Sequence, residues 1–186
     1  MIDTSQLLLA EYDQIKQEQR ARIGFRDNLI YATLGVMAAV VGSTLARTDH
    51  LELLLLLPPM SVILGWTYLV NDEKISAVGR YIREELAPRL KDLVPERAEV
   101  FGWESAHRTD ARRNSRKRFQ LAVDLLTFCV APLAALTVYW ILGPKDWPLL
   151  TISVAETAMI IALAVQVARY ADLSRRPTPV GTTARQ

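Results

Sequence analysis

The chain is poor in the residues that most chemistry needs. Its 186 residues include one cysteine and two histidines. A lone thiol, Cys129, cannot close a disulfide within the chain, and its apolar surroundings read as simple packing. The Cys/His spacings that bind zinc are missing, and His50 and His107 stand apart without metal-ligand company. No phosphate loop, nucleophile elbow, HExxH or CxxC is present. These absences argue against an enzyme and against a metal or cofactor. A strong charge of one sign is missing too: 22 Lys and Arg against 20 Asp and Glu leave a net +2, too little to point to nucleic-acid binding by the chain as a whole. The start does not read as a secretory signal, because about 27 polar and charged residues precede the first apolar stretch, far more than a basic n-region.

What is there is segregated. Half of the residues are hydrophobic (51%) and nearly a quarter are charged (23%), yet the two classes occupy separate stretches instead of interleaving at a helical or strand period. Four apolar stretches have the length and composition to cross a bilayer core. They run from Asn28 to Ala46, Leu53 to Val70, Phe119 to Leu142, and Leu149 to Ala168. The pair Pro58-Pro59 falls five or six residues into the second, which predicts a kink or an irregular outer end there. The connectors Arg47 to Glu52 and Gly143 to Pro148 are short, so spans one and two form one hairpin and spans three and four another.

Orientation follows from Lys and Arg. The segment before the first span has four, the loop from Asn71 to Arg118 twelve and the tail four, whereas the two short connectors hold one each, Arg47 and Lys145. Twenty against two places the long segments and both termini in the cytoplasm. Tyr139, Trp140 and Trp147 are expected in an outer aromatic belt, and Trp66, Tyr68 and Tyr170 in an inner one. The expected fold is therefore all-α: an integral protein of the cell (inner) membrane. Its parts are an N-terminal cytoplasmic helix (1–27), a transmembrane hairpin (28–70), a cytoplasmic helical region (71–118), a second hairpin (119–168) and a disordered tail (169–186).

In the cytoplasmic part, Leu8, Tyr12, Ile15 and Gln19 fall at coiled-coil spacing. This helix is expected to run directly into the first span. Ile75, Val78, Ile82 and Leu86 form a narrow apolar stripe on a second helix, expected to end at Pro88. The stripe could pack on the first helix, lie on the membrane surface or meet another subunit. A third helix, from about Glu96, is expected to lead through Arg118 into the third span.

Three groups of residues invite a functional reading. Asp124 and Glu156 are ionisable groups deep in spans three and four, where such groups are costly and face a bundle interior or water. Asp124 could pair with Arg118 or Lys117, whereas Glu156 has no nearby cation on its own helix. Gly35, Ala39, Gly42 and Ser43 make a small-residue face on the first span. That face either packs tightly within one subunit or lines an oligomer's centre. Arg108, Arg112, Arg113, Arg116 and Lys117, joined by Arg20, Arg22 and Arg26 if the helices meet, make a basic surface. It suits anionic lipid headgroups or an anionic ligand such as a nucleotide.

The stretch Glu11-Tyr-Asp-Gln-Ile-Lys-Gln-Glu-Gln-Arg-Ala-Arg-Ile-Gly-Phe-Arg-Asp27, then Gly79-Arg-Tyr-Ile-Arg-Glu-Glu-Leu86, then Gly102-Trp-Glu104, resembles small bacterial four-span membrane proteins. These are similar to Hailong-type ion-channel effectors of anti-phage defence. The resemblance implies a homo-oligomeric channel answering a nucleotide or oligonucleotide signal made by a partner nucleotidyltransferase. It transfers no nucleotide-binding residue. The readings that compete with a channel are a non-conducting anchor that recruits a cytoplasmic partner, and a small transporter using Glu156 as a proton-coupled carboxylate.

Overall fold

The computed structural model describes residues 4–47, 50–93 and 113–170. Among them every regular element is helical. The first, α1, runs unbroken from Thr4–Ala46 over 43 residues, about 65 Å at 1.5 Å per residue. It contains no proline, so nothing interrupts its hydrogen-bond ladder between the polar and apolar halves. The expected continuity holds.

After the connector, a tight 3₁₀ segment, Leu51–Leu56, leads into α2, Leu57–Tyr81. Pro58 and Pro59 sit in the first turn of α2. A missing N–H costs nothing there, since it would have no helical partner. This end of the second stretch is irregular, as the proline pair predicts.

The expected stop at Pro88 is corrected. After Tyr81 the chain makes a wide π turn, Ile82–Leu86, and stays helical as α3, Ala87–Lys91. In that turn the Ala87 N–H donates to the carbonyl of Ile82, five residues back. Widening the turn moves the preceding carbonyls away from the proline ring, the clash that otherwise breaks a helix. The same device recurs in the second hairpin. There α4 (Arg113–Leu125) passes through a π turn (Leu126–Val130) into α5 (Ala131–Leu142), which carries Pro132. In both places the proline lies two residues past the turn.

At its end α5 turns extended at Gly143, whose N–H donates to the Tyr139 carbonyl at 2.7 Å. A Cβ on Gly143 would lie 2.6 Å from that same oxygen, so only glycine fits. The last helix, α6, spans Trp147–Tyr170. Residues 94–112 and the tail from 171 onwards lie outside the described residues, as does most of the expected third cytoplasmic helix.

The stretches Thr4–Ala46, Leu51–Lys91, Lys117–Leu142 and Trp147–Tyr170 are each long and apolar enough to cross a membrane. Their apolar windows are only 17–44% buried within the chain. Most of that hydrocarbon therefore faces outward, which water would penalise and lipid would not. The main core joins Leu29 of α1 and Leu69 of α2 to Phe128 and Leu136 of the third stretch and Ile160 and Leu163 of α6. The helices come close at Gly65, where a Cβ would meet Leu163 at 2.9 Å and Phe128 at 3.0 Å.

A second, smaller core lies in the polar half. Ile82 and Leu86 are fully buried there, with Leu90, against Leu8, Tyr12 and Ile15 of α1. Of the three fates open to the apolar stripe, the structure takes packing on the first helix. The aromatic belts need one correction. Trp140, Trp147, Trp66 and Tyr170 are exposed, but Tyr139 and Tyr68 are buried. The Tyr139 hydroxyl is occupied at 2.9 Å by the Pro144 carbonyl.

Candidate gating and ligand-binding residues

Two arginines one turn apart on α1 meet α2 where it leaves the apolar core. The Arg26 guanidinium lies 2.8 Å from Asp72 and 3.2 Å from Asp27. Burial works against the Arg26 charge, but the hydrogen bond and the charge of Asp72 more than restore it, leaving its pKa above the ordinary value. Asn71, itself buried, donates to the Arg22 carbonyl at 2.6 Å and accepts from the Arg22 guanidinium at 3.4 Å. Arg22 also pairs with Glu18 at 2.5 Å.

Further along the polar half, Gln19 donates to the Ile75 carbonyl at 3.3 Å, and the Tyr81 hydroxyl donates to Glu11 at 2.5 Å. The bond to Glu11 and then burial raise the Tyr81 pKa. These contacts clamp α1 to α2 along the full polar length.

Asp124 reaches the same level from α4. It is half-buried and faces the Tyr68 hydroxyl, with Tyr68, Arg26 and Asp72 all within electrostatic range. Gln120 donates to the same hydroxyl at 3.3 Å, and the Tyr68 ring packs on Phe128 with centroids 5.2 Å apart. Asp124 thus has its electrostatic neighbours on α2 and α1, where the sequence pointed to Arg118 or Lys117 on its own helix. The result is a polar cluster shared by α1, α2 and α4 at the border of the apolar core.

Glu156 sits elsewhere. It is 5% exposed, on the α6 face that also carries Ser153, Ile160, Leu163 and Val167, and its Oε2 has no hydrogen-bond partner. One turn away Ser153 is satisfied: it accepts from the Trp140 indole N–H and donates to the Leu150 carbonyl, both at 2.8 Å. Glu156 therefore faces the interior of one chain's bundle.

Gly35, Ala39, Gly42 and Ser43 point the other way. All four are exposed, and a Cβ on Gly35 or Gly42 would meet nothing within 4 Å. The small-residue face is not used for packing within the chain. The six pore or gating candidates thus fall in three separate places.

The basic candidates divide as well. Arg20 is exposed, whereas Arg22 and Arg26 are engaged with Glu18, Asn71 and Asp72. Lys117 is half-buried in α4. Arg113 and Arg116 belong to the first turn of α4, but their side chains, and all of Arg108 and Arg112, lie outside the described residues. With Gln120 bonded to Tyr68 and the two helices running in opposite directions, the first turn of α4 stands at the level of Asn71 and Asp72.

Sequence reasoning missed Tyr68, Asn71 and Asp72. Their signal was present: a polar pair directly after an apolar run, opposite arginines four residues apart. At the other end of the bundle His50 and Glu52 lie 2.7 Å apart. The hydrogen bond from His50 holds the Glu52 carboxyl below its ordinary pKa. Among the described residues no cluster of His, Cys, Asp and Glu is suited to a metal ion. Comparison of the chain with protein-family models, with curated proteins and with solved structures finds no match in any of the three.

Proposed function

We propose that this chain is the subunit of a homo-oligomeric, gated ion channel of the cell (inner) membrane, with its polar half and both termini in the cytoplasm. One observation carries the reading. The helix α1 is a single rod from the polar half through the apolar half, and its small-residue face is uncovered. A rod transmits displacement without loss at a hinge. Movement of the α1–α2 polar hairpin is therefore movement of the first span. The Arg26–Asp72 pair and the Tyr68–Asp124 contact sit where that movement would enter the apolar core.

The gating signal is an anion bound on the cytoplasmic side by the basic residues at the start of α4 together with Arg20. A nucleotide or oligonucleotide made by a partner nucleotidyltransferase fits that chemistry, and the resemblance to defence effectors supports it. The test is reconstitution of purified protein in liposomes, with ion flux and oligomeric state measured together. Oligomers that conduct, with flux changed by added oligonucleotide, support the proposal. A monomer in detergent and nanodiscs overturns it. Oligomers that never conduct favour a membrane anchor instead.

A further inference from the structure

The uncovered face of α1 is longer than the small-residue motif. Starting in the polar half, Leu7, Ala10, Gln14, Gln17, Ala21 and Gly24 are spaced alternately by three and four residues. The alternation continues without a break into the apolar half through Asn28, Tyr31, Gly35, Ala38, Gly42 and Leu45. All twelve positions are exposed and none is charged. Yet residues 4–27 of the same helix hold eight charged side chains. A helix half bathed in water has no reason to keep one strip free of charge over five turns, nor to expose Leu7 by 56%.

The seam that packs on α2 has the same 3.5-residue period. It passes through Leu8, Ile15, Gln19, Arg22, Leu29 and Thr33, none of them exposed. Because the two periods agree, the uncharged strip stays roughly opposite the α2 seam along the whole rod instead of spiralling across it. A sustained heptad strip of this kind is the pattern of a helix that supercoils with another.

The strip's occupant must suit water at one end and lipid at the other. Lipid covers only the apolar half, and a soluble partner only the polar half. A helix that changes character at the same height is required, and α1 of a second copy, parallel and in register, has that property by construction. The strip itself puts no charge between like copies. Two of the flanking acids are already taken up inside the chain, Glu11 by Tyr81 and Glu18 by Arg22. Asn28, Gln14 and Gln17 can hydrogen-bond to their own copies across such an interface, and a polar residue within a seam sets register. Gly35, Ala38 and Gly42 allow close approach in the apolar half, where association depends on backbone proximity.

We infer that the Leu7-to-Leu45 strip of α1 is a parallel, in-register interface with α1 of a second copy, joining subunits through both the polar and apolar halves. The inference rests on the homo-oligomer reading above and assigns its contact surface. It is tested in the full-length protein carrying Cys129→Ala, with single cysteines at Gln17 or Ala38 on the strip and at Glu73 or Ile161 on other exposed faces. Mild oxidation in native membranes is expected to convert Q17C and A38C largely to disulfide-linked dimers, and to leave E73C and I161C as monomers. Size measurement of Gly35→Leu and Gly42→Leu accompanies it. Both leucines meet open space within one chain, so the subunit folds while the oligomer weakens.

Oligomers whose cysteines cross-link only at Glu73 or Ile161, and which ignore the two leucines, overturn this interface but leave the homo-oligomer standing. Protein that is monomeric throughout overturns both.

Discussion

At the scale of residues, an informative group is a buried carboxylate oxygen in the apolar half that lacks a hydrogen bond. The Glu156 Oε2 is buried and unbonded, and an unsatisfied buried polar atom costs roughly 1–3 kcal/mol. Replacing it with methionine, similar in length and apolar, should raise stability by about that amount. The check is the melting temperature in detergent. If the carboxylate matters to gating, the stabilised variant loses flux, the usual trade between stability and a strained functional group. A melting temperature that falls would mean that the carboxyl has a partner in the intact assembly.

Tyr81 offers a second residue-scale prediction, with a definite sign. Its pKa is raised by donation to Glu11, so the folded state favours the neutral phenol. The contribution is complete below the phenol's ordinary pKa of about 10 and disappears as pH climbs through the raised value. Stability of the polar hairpin in wild type minus that of Tyr81→Phe should therefore be constant at neutral pH and shrink above about pH 10. A difference that is flat across that range would contradict the hydrogen bond.

At the scale of elements, the polar hairpin is held by a few apolar side chains and a ladder of polar contacts. Ile82 and Leu86 are fully buried between α1 and the end of α2. Ile82→Ala should cost about 2–5 kcal/mol, the usual range for large-to-small changes in a core. Hydrogen exchange would locate the effect. Amides of residues 4–20 and 78–91 should lose protection while those around Leu136 and Ile160 keep it. Equal loss everywhere would mean that the two cores melt as one.

The two π turns belong to this scale too. Each lets a helix continue past a proline, so Pro88 and Pro132 are not boundaries. An apolar period and a proline are both visible in sequence. The choice between stopping and widening is not, because it depends on whether Leu90 and Leu136 find a core beyond the proline.

At the scale of the whole molecule, the arginine count makes an accessibility prediction. A cysteine placed at Lys145, in the exposed connector before α6, should react with a membrane-impermeant thiol reagent added to intact cells. One placed at exposed Glu84 should react only after lysis. The reverse pattern would invert the assigned topology and move the basic segment away from any cytoplasmic signal.

Four apolar stretches, their pairing through short connectors and the irregular start at Pro58-Pro59 were all legible in the chain alone. Length and hydrophobicity are local properties, and a residue's polarity does not change when the chain folds. Which faces met was decided only in three dimensions. Asp124 turned to Tyr68, the Ile82 stripe settled on α1, and Arg22 and Arg26 were drawn to Asn71 and Asp72. Gly35 and Gly42 were left uncovered by anything in their own chain. A helix presents several faces of similar polarity, and only the competition among distant neighbours for the same surface selects one.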